Sequence, residues 1–133
     1  MEEKSSTSER VGQSANAMRI RSLRTGAIIA GRVRIASSLP ALLRGLIGEP
    51  RLRPGDALWL DRCNGIHTFG MRYAIAVVTL RKDGTVLAIH HKVAPSRVIG
   101  PVRGGAITVE MLPETLDSGD IRIGDRLALE TSP

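Results

Sequence analysis

Cys63 and His67 are separated by three residues, and a thiol beside an imidazole could act as nucleophile and base or as two soft metal ligands. His90 or His91 could add a third group from a later strand. Neighbouring residues of a strand point to opposite faces, so at most one of these two histidines could join. The group then has three members at most. Candidates for a fourth ligand are Asp61 and Glu110.

This Cys/His set defines one alternative, a Cys- and His-dependent enzyme that works with or without a metal ion. Against it, Cys63 is the only cysteine, and the sequence has no His-x-x-x-His motif. Half-buried thiols and hydrogen-bonded histidines are also common in protein interiors. We therefore predict no catalytic residue, no bound metal and no cofactor, and we keep Cys63 and His67 as the catalytic pair of the alternative.

A second set of residues could bind an anion. The segment Pro101-Val-Arg-Gly-Gly105 places a guanidinium beside two glycines, whose backbone amides could hold a phosphate or a carboxylate. On a regular strand His67, Phe69, Met71 and Tyr73 would share one face, either in the core or as the wall of a shallow pocket. We predict a ligand site in which the first three of these residues pack and arginines contact the anion. Its residues are His67, Phe69, Met71, Arg72, Arg97 and Arg103.

The elements that position these residues belong to one domain, because 133 residues suffice for a single hydrophobic core. The formal net charge is +6, and the excess lies before residue 73, where 12 Lys and Arg accompany 6 Asp and Glu. Such stretches bind nucleic-acid backbones, but they are also typical of solvated strand faces. Trp59, Phe69 and Tyr73 are the only aromatic residues, too few for an extensive stacking platform. A backbone-directed nucleic-acid binder using Arg32 and Arg34 is therefore an alternative that we do not favour.

The sequence has no apolar run near the ~20 residues of a membrane-spanning helix, and its acidic start is not typical of a signal peptide. A single cysteine cannot form an internal disulfide. We therefore expect a cytoplasmic protein without membrane contact, whose partner is a small anion or another protein. The sequence predicts no oligomeric state.

Hydrophobic periodicity predicts a mainly β fold. Residues 19–24 and 31–35 alternate apolar with basic side chains, which indicates two strands joined by a turn near Thr25-Gly26. Further strands are predicted at Leu58–Leu60, Ile66–Phe69, Tyr73–Leu80, Val86–His91, Ala106–Met111 and Arg126–Leu129, with a hairpin turn at Arg81–Gly84. Leucine spacing predicts one amphipathic helix at Leu39–Ile47. Polar residues 1–17 are predicted to be a disordered tail, and residues 18–130 a single small β-barrel-like (α+β) domain with the helix near its front.

The block Ile66-His-Thr-Phe-Gly-Met-Arg-Tyr73, the apolar strand after it and the hairpin Asp83-Gly-Thr-Val86 resemble domain of unknown function 192 (DUF192), a family of small bacterial and archaeal proteins. The likeness continues through Pro95-Ser-Arg97, Gly100-Pro-Val-Arg103 and Ile121-Arg-Ile-Gly-Asp125. It covers most of the chain and implies a compact, mainly β fold with a helix near the front. It implies no established activity.

The chain departs from the family pattern just after this block. Ala74 stands where family members usually carry Pro, and Ala76 stands where they usually carry Asp. If that Asp belongs to a shared site, the site is impaired in this chain. Together, the residues and the resemblance favour a non-enzymatic module that binds a small ligand or anion or serves as an accessory in protein interactions.

Overall fold

The computed structural model describes residues 17–37 and 51–133, and in these ranges nine strands and one short helix follow one another. The strands are β1 (Met18–Ser22), β2 (Ile28–Ala36), β3 (Asp56–Asp61), β4 (Ile66–His67), β5 (Ile75–Leu80), β6 (Val86–Val93), β7 (Val98–Ile99), β8 (Ile107–Met111) and β9 (Leu127–Thr131). The helix, α1 (Pro113–Ser118), lies between β8 and β9.

Seven strands form one mixed sheet in the order β6-β5-β8-β3-β2-β1-β9, and β4 pairs with β7 in a separate two-stranded ribbon. β2 and β3 run parallel, whereas the other neighbouring pairs are antiparallel. The mainly β prediction is confirmed. In the part of the chain that the structure describes, the sheet does not form a closed barrel, so the barrel-like arrangement is not confirmed.

The two end strands of the sheet meet at one corner, which we call the β6–β9 corner. The Val86 amide donates a hydrogen bond to the Asp125 carbonyl at 2.7 Å. The Leu127 amide donates to the Gly84 carbonyl at 3.0 Å. These bonds tie the start of β6 and its turn to the start of β9.

Most of the predicted strands are confirmed with small boundary shifts, and so is the turn at Arg81–Gly84, where the Gly84 amide donates to the Arg81 carbonyl at 2.9 Å. The helix predicted at Leu39–Ile47 lies outside the described residues, as does nearly all of the predicted tail. α1 is not among the predicted elements, although Pro113 and Glu114 in its first turn are typical of a helix start. Among the described residues, no helix is long and apolar enough to cross a membrane.

The sheet buries a hydrophobic cluster on each of its faces. Core 1 includes Trp59, Val78, Leu80, Val109 and Met111, with Leu116 of α1. Core 2 includes Leu58, Leu60, Ile75, Val77 and Val93, and Cys63, Ile66, Met71, Tyr73 and Ile99 pack against it. Every residue of β5 is buried, because alternate side chains enter the two cores. Burial on both faces explains why residues 75–80 read as an apolar run and not as an alternating pattern.

Acidic residues of the described chain pair with several arginines of its first half. The closest N–O distances are 2.8 Å for Arg19–Glu130, 3.0 Å for Arg21–Glu130, 2.8 Å for Arg24–Asp125 and 2.6 Å for Arg32–Asp56. Glu130 and Asp125 lie at or beside β9, so these ion pairs join β1 and its turn to the neighbouring strand. Much of the basic excess of the first half thus contributes to the contacts between strands.

Candidate functional site

The segment that begins at Ile66 does not continue as a strand, so the predicted row of side chains on one face is wrong. β4 ends at His67, and Gly70 has a φ of 87°, which turns the chain in a way that glycine tolerates best. His67 and Phe69 are exposed, with their ring centroids 5.5 Å apart. Met71 packs against core 2. Of these three residues, the structure thus packs only Met71 against a core, and it leaves His67 and Phe69 at the surface.

Thr68 anchors this segment to the loop that precedes β7. Its buried hydroxyl donates to the Ala94 carbonyl at 2.8 Å and accepts a bond from the Arg97 amide at 2.9 Å. Its backbone contacts the same loop, because its amide donates to the Arg97 carbonyl at 2.8 Å and its carbonyl accepts from the Ser96 amide at 3.0 Å. These bonds fix the position of Arg97.

We expect Thr68→Val to lower the free energy of unfolding by about 2 kcal/mol, because it removes the partner of the Arg97 amide and the Ala94 carbonyl at nearly constant side-chain volume. Thr68→Ser keeps the hydroxyl and is the matched control. Urea denaturation gives the stabilities, and the amide resonance of Arg97 reports whether the loop has moved. Equal stabilities for Thr68→Val and Thr68→Ser would show that the hydroxyl is not an anchor.

Asn64 forms a second anchor, between the start of the motif region and the segment before β8. Its side-chain amide donates to the Val102 carbonyl at 2.8 Å, and its side-chain carbonyl accepts from the Val102 amide at 2.8 Å. A Cβ at Gly105 would lie 2.5 Å from the Asn64 oxygen, so the close packing requires glycine. The Gly105 amide donates to the Val102 carbonyl at 2.8 Å. The anion nest predicted around Arg103 is therefore left with one glycine amide.

A groove of about 700 Å³ lies between β6 and β7, beside the Thr68 anchor. Its described lining residues include Lys92 and Arg97 and no carboxylate. Within residues 17–37 and 51–133 neither cation forms an ion pair, and the Arg97 guanidinium contacts only the Ser96 carbonyl, at 3.4 Å. His91 also lines the groove, and its ring lies 3.8 Å from Asp117 of α1. The groove therefore presents positive charge that no side chain described here neutralises.

His90 also lines the groove, and one of its ring nitrogens has no described partner. Its Nδ1 atom is buried and makes no hydrogen bond to any described residue. β6 has a β-bulge at this point. Val93 pairs with Ile75 and His90 pairs with Val77, so β6 has one more residue than β5 between these two pairs. Bulges often redirect side chains beside binding sites.

Of the six predicted ligand residues, the groove includes only Arg97. Arg72 and Arg103 are exposed and do not line it. Lys92 and His90 are not among the residues predicted to bind an anion. His90 falls in the predicted strand Val86–His91 and Lys92 directly follows that strand, and neither position indicates a site. The groove forms where β7 lies opposite β6, and a two-residue strand such as β7 has no detectable periodicity.

The surroundings of Cys63 and His67, the catalytic pair of the enzymatic alternative, do not favour a nucleophile and a base. The thiol donates to the Gly65 carbonyl at 3.3 Å, and burial, together with the charge of Glu110, raises the pKa of Cys63. A thiol that stays protonated is a weak nucleophile. The Nδ1 atom of His67 accepts from the Phe69 amide at 3.2 Å, and no hydrogen bond joins the two side chains in the described structure. Nor do three or more His, Cys, Asp or Glu residues of the described ranges come together where they could hold a metal ion.

Glu110 is a buried carboxyl that the sequence analysis considers only as a metal ligand. It lies on β8 between Leu58 of β3 and Val77 of β5, and its relative exposure is 4%. Burial raises the pKa of Glu110 to about 7, because an apolar surrounding disfavours the charged form. The signal in the sequence is one acidic residue within the otherwise uncharged run 106–113.

Ala76 stands where the family pattern has Asp, and it is fully buried in core 1 beside Met111. The groove lies on the side of core 2, since Val93 and Ile99 line the groove and also belong to or pack against core 2. An Asp at this position would therefore point away from the groove. The departure from the family pattern does not alter the groove.

The fold and the site define a class of small domain. One mixed sheet carries a core on each face, and the loop that Thr68 anchors borders a basic groove on the side of core 2. The chain belongs to the family DUF192 (Uncharacterized ACR), whose family model matches residues 21–129. The resemblance found in the sequence is thereby confirmed.

Solved structures share this fold. A putative transcription regulator from Sinorhizobium meliloti 1021 is 20% identical, superposes with a TM-score of 0.72, and the match covers 86% of this chain and 92% of that chain. A protein of unknown function from Novosphingobium aromaticivorans DSM 12444 is 12% identical, with a TM-score of 0.71 and coverage of 84% and 83%. At these identities the likeness shows the fold alone. A search of curated protein sequences finds no match.

Proposed function

We propose that the protein is a non-enzymatic anion-binding module and that its site is the groove between β6 and β7. The observation that carries the proposal is the convergence of Lys92 and Arg97 in one groove, which His90 also lines, without a described carboxylate. Ammonium and guanidinium groups form strong charge-assisted hydrogen bonds to carboxylates and phosphates. The volume of about 700 Å³ is within the range of small-ligand sites.

A second cavity, of about 600 Å³, is also lined by arginines, namely Arg32, Arg34, Arg51 and Arg53. Its charge is compensated in part, because Asp56 pairs with Arg32 at 2.6 Å and also lies 3.9 Å from the Arg53 guanidinium. Arg51 stacks over the Tyr73 ring at 4.3 Å from its centroid. We therefore favour the β6–β7 groove, whose two cations have no acidic partner among the described residues.

The two alternatives have less support. A Cys-dependent enzyme requires an activated thiolate, whereas the surroundings of Cys63 raise its pKa. A backbone-directed nucleic-acid binder would use exposed, unpaired cations along a surface, whereas Arg32 is paired with Asp56. We do not propose either activity.

Inorganic phosphate is a suitable first probe of the groove. We expect its titration to shift the backbone amide resonances of Lys92, Arg97 and Val98. The variant Lys92→Gln/Arg97→Gln should bind phosphate at least tenfold more weakly, since each charged hydrogen bond contributes on the order of 1.5 kcal/mol or more. Arg81→Gln/Lys82→Gln removes the same charge from an exposed turn outside the groove and is the matched control.

The proposal fails if phosphate shifts no groove resonance or if the control variant loses as much affinity as the groove variant. Shifts confined to Arg51, Arg53 and their neighbours would move the anion site to the second cavity. Binding that vanishes in both variants would indicate a general charge effect and would also count against a built site.

A further inference from the structure

The groove is bounded by two strand edges. β6 is an end strand of the seven-stranded sheet, and β7 pairs only with β4 among the described residues. Beyond the β6–β9 corner, no described strand covers the outer edge of β6. Open edges offer backbone amides and carbonyls to an added strand. The groove can thus supply main-chain hydrogen bonds from either side as well as positive charge.

We propose that the anion bound in this groove is a carboxylate side chain of an acidic, extended segment of a partner protein, which inserts as a short strand between β6 and β7. The inference rests on the proposed function, because the same cations bind the anion. It adds the main-chain pairing and the class of partner. Neither follows from anion binding alone.

The chemistry of the lining residues defines the segment. The four positions of β6 that line the groove before Ala94 span about 13 Å, enough for about four residues of an added strand. Lys92 and Arg97 match acidic side chains on it. Val98 is 67% exposed and lines the groove, and it offers an apolar contact. A segment that alternates acidic with apolar residues fits these features, since alternate side chains of a strand point to opposite faces.

The bulge in β6 limits what can bind. It interrupts the regular ladder near His91 and Lys92, so a long strand could not pair in one register. A second copy of this chain is also disfavoured as the occupant, because pairing of two β6 edges would bring the basic side chains of both copies together, and like charges directly opposite each other destabilise a sheet. A short acidic segment meets neither obstacle.

Three synthetic eight-residue peptides test the inference by calorimetric titration of the full chain. The first alternates Val with Glu, the second has the same sequence with alternate backbone nitrogens methylated, and the third alternates Val with Gln. We expect the first peptide to bind and the other two to bind at least tenfold more weakly. We also expect the first peptide to slow hydrogen exchange of amides at His90–Val93 and Val98–Ile99.

The outcomes separate this inference from the proposed function. Equal binding of the methylated and unmethylated acidic peptides would overturn strand insertion and leave anion binding in place. Phosphate binding in the groove without binding of the acidic peptide would likewise overturn strand insertion and leave anion binding in place. Absence of both would overturn both proposals. A dimer of the chain whose contacts map to His90–Val93, measured by sedimentation and resonance shifts, would make a second copy the occupant and overturn the inference.

Discussion

Raising the pH from about 4.5 to about 7 is expected to remove about 3 kcal/mol from the free energy of unfolding through Glu110 alone. Burial raises the pKa of this carboxyl from 4.5 to about 7 in the folded protein. Between these pH values the unfolded chain releases the proton while the folded chain still holds it. Folding therefore takes up a proton, and stability falls as the pH rises. The contribution is fully present below the unfolded pKa and is lost as the pH passes the folded pKa.

Glu110→Gln should abolish this slope, because its side chain is neutral at every pH in the range. Urea denaturation of both proteins between pH 4.5 and pH 8 gives the comparison, and we expect the variant to gain about 3 kcal/mol relative to the original protein over that range. Glu114→Gln, on the exposed side of α1, is the control and should leave the slope unchanged. Parallel stability curves for the original protein and Glu110→Gln would show that the carboxyl titrates normally.

Gly84→Ala is expected to lower the free energy of unfolding by about 4 kcal/mol, the largest effect predicted for a single substitution in this chain. Gly84 has a φ of 93°, and a Cβ there would overlap the carbonyl oxygen of Leu127. The substitution thus adds backbone strain and forces the β6–β9 corner apart. Backbone strain alone costs about 1 to 2 kcal/mol at such a φ, so the larger part of the effect would come from the corner.

Gly124→Ala provides the matched control for this prediction. Gly124 also has a φ of 93°, but a Cβ there would meet nothing within 4 Å. Gly124→Ala should therefore lower the free energy of unfolding only through backbone strain, by about 1 kcal/mol. The difference between the two variants in urea denaturation measures the close approach of Gly84 to β9. If both variants lose the same stability, the corner contributes nothing beyond the conformation of its turns.

The strands follow from local patterns, and the sequence therefore predicts them well. Alternation of arginine with apolar residues marks β1 and β2, and Asp83-Gly84 marks the turn between β5 and β6. Strand order does not follow from such patterns. The parallel pairing of β2 with β3, and the place of β1 between β2 and β9, depend on contacts between residues far apart in the chain. No periodicity within a strand specifies its neighbours.

The candidate site could be predicted only in part for the same reason. Arg97 is predicted because a motif surrounds it, whereas Phe69 is predicted on a strand face that Gly70 interrupts. Lys92 becomes a site residue only because Thr68 holds the Arg97 loop against the edge of β6. A single buried hydroxyl thus determines which cations meet. The spacing of residues cannot reveal such an anchor, since Thr is common in strands.

The ion pair between Arg19 and Glu130 joins residues that are 111 positions apart, and the strands that carry them are hydrogen-bonded neighbours. This has a consequence for the order of events during folding. β1 is among the first strands to be synthesised, yet one of its two edges stays open until β9 exists. Chains whose contacts span such long loops fold slowly, in about milliseconds to seconds for mainly β domains. The nascent chain therefore carries an uncovered strand edge through most of its synthesis, and it is then that we expect it to depend most on chaperones.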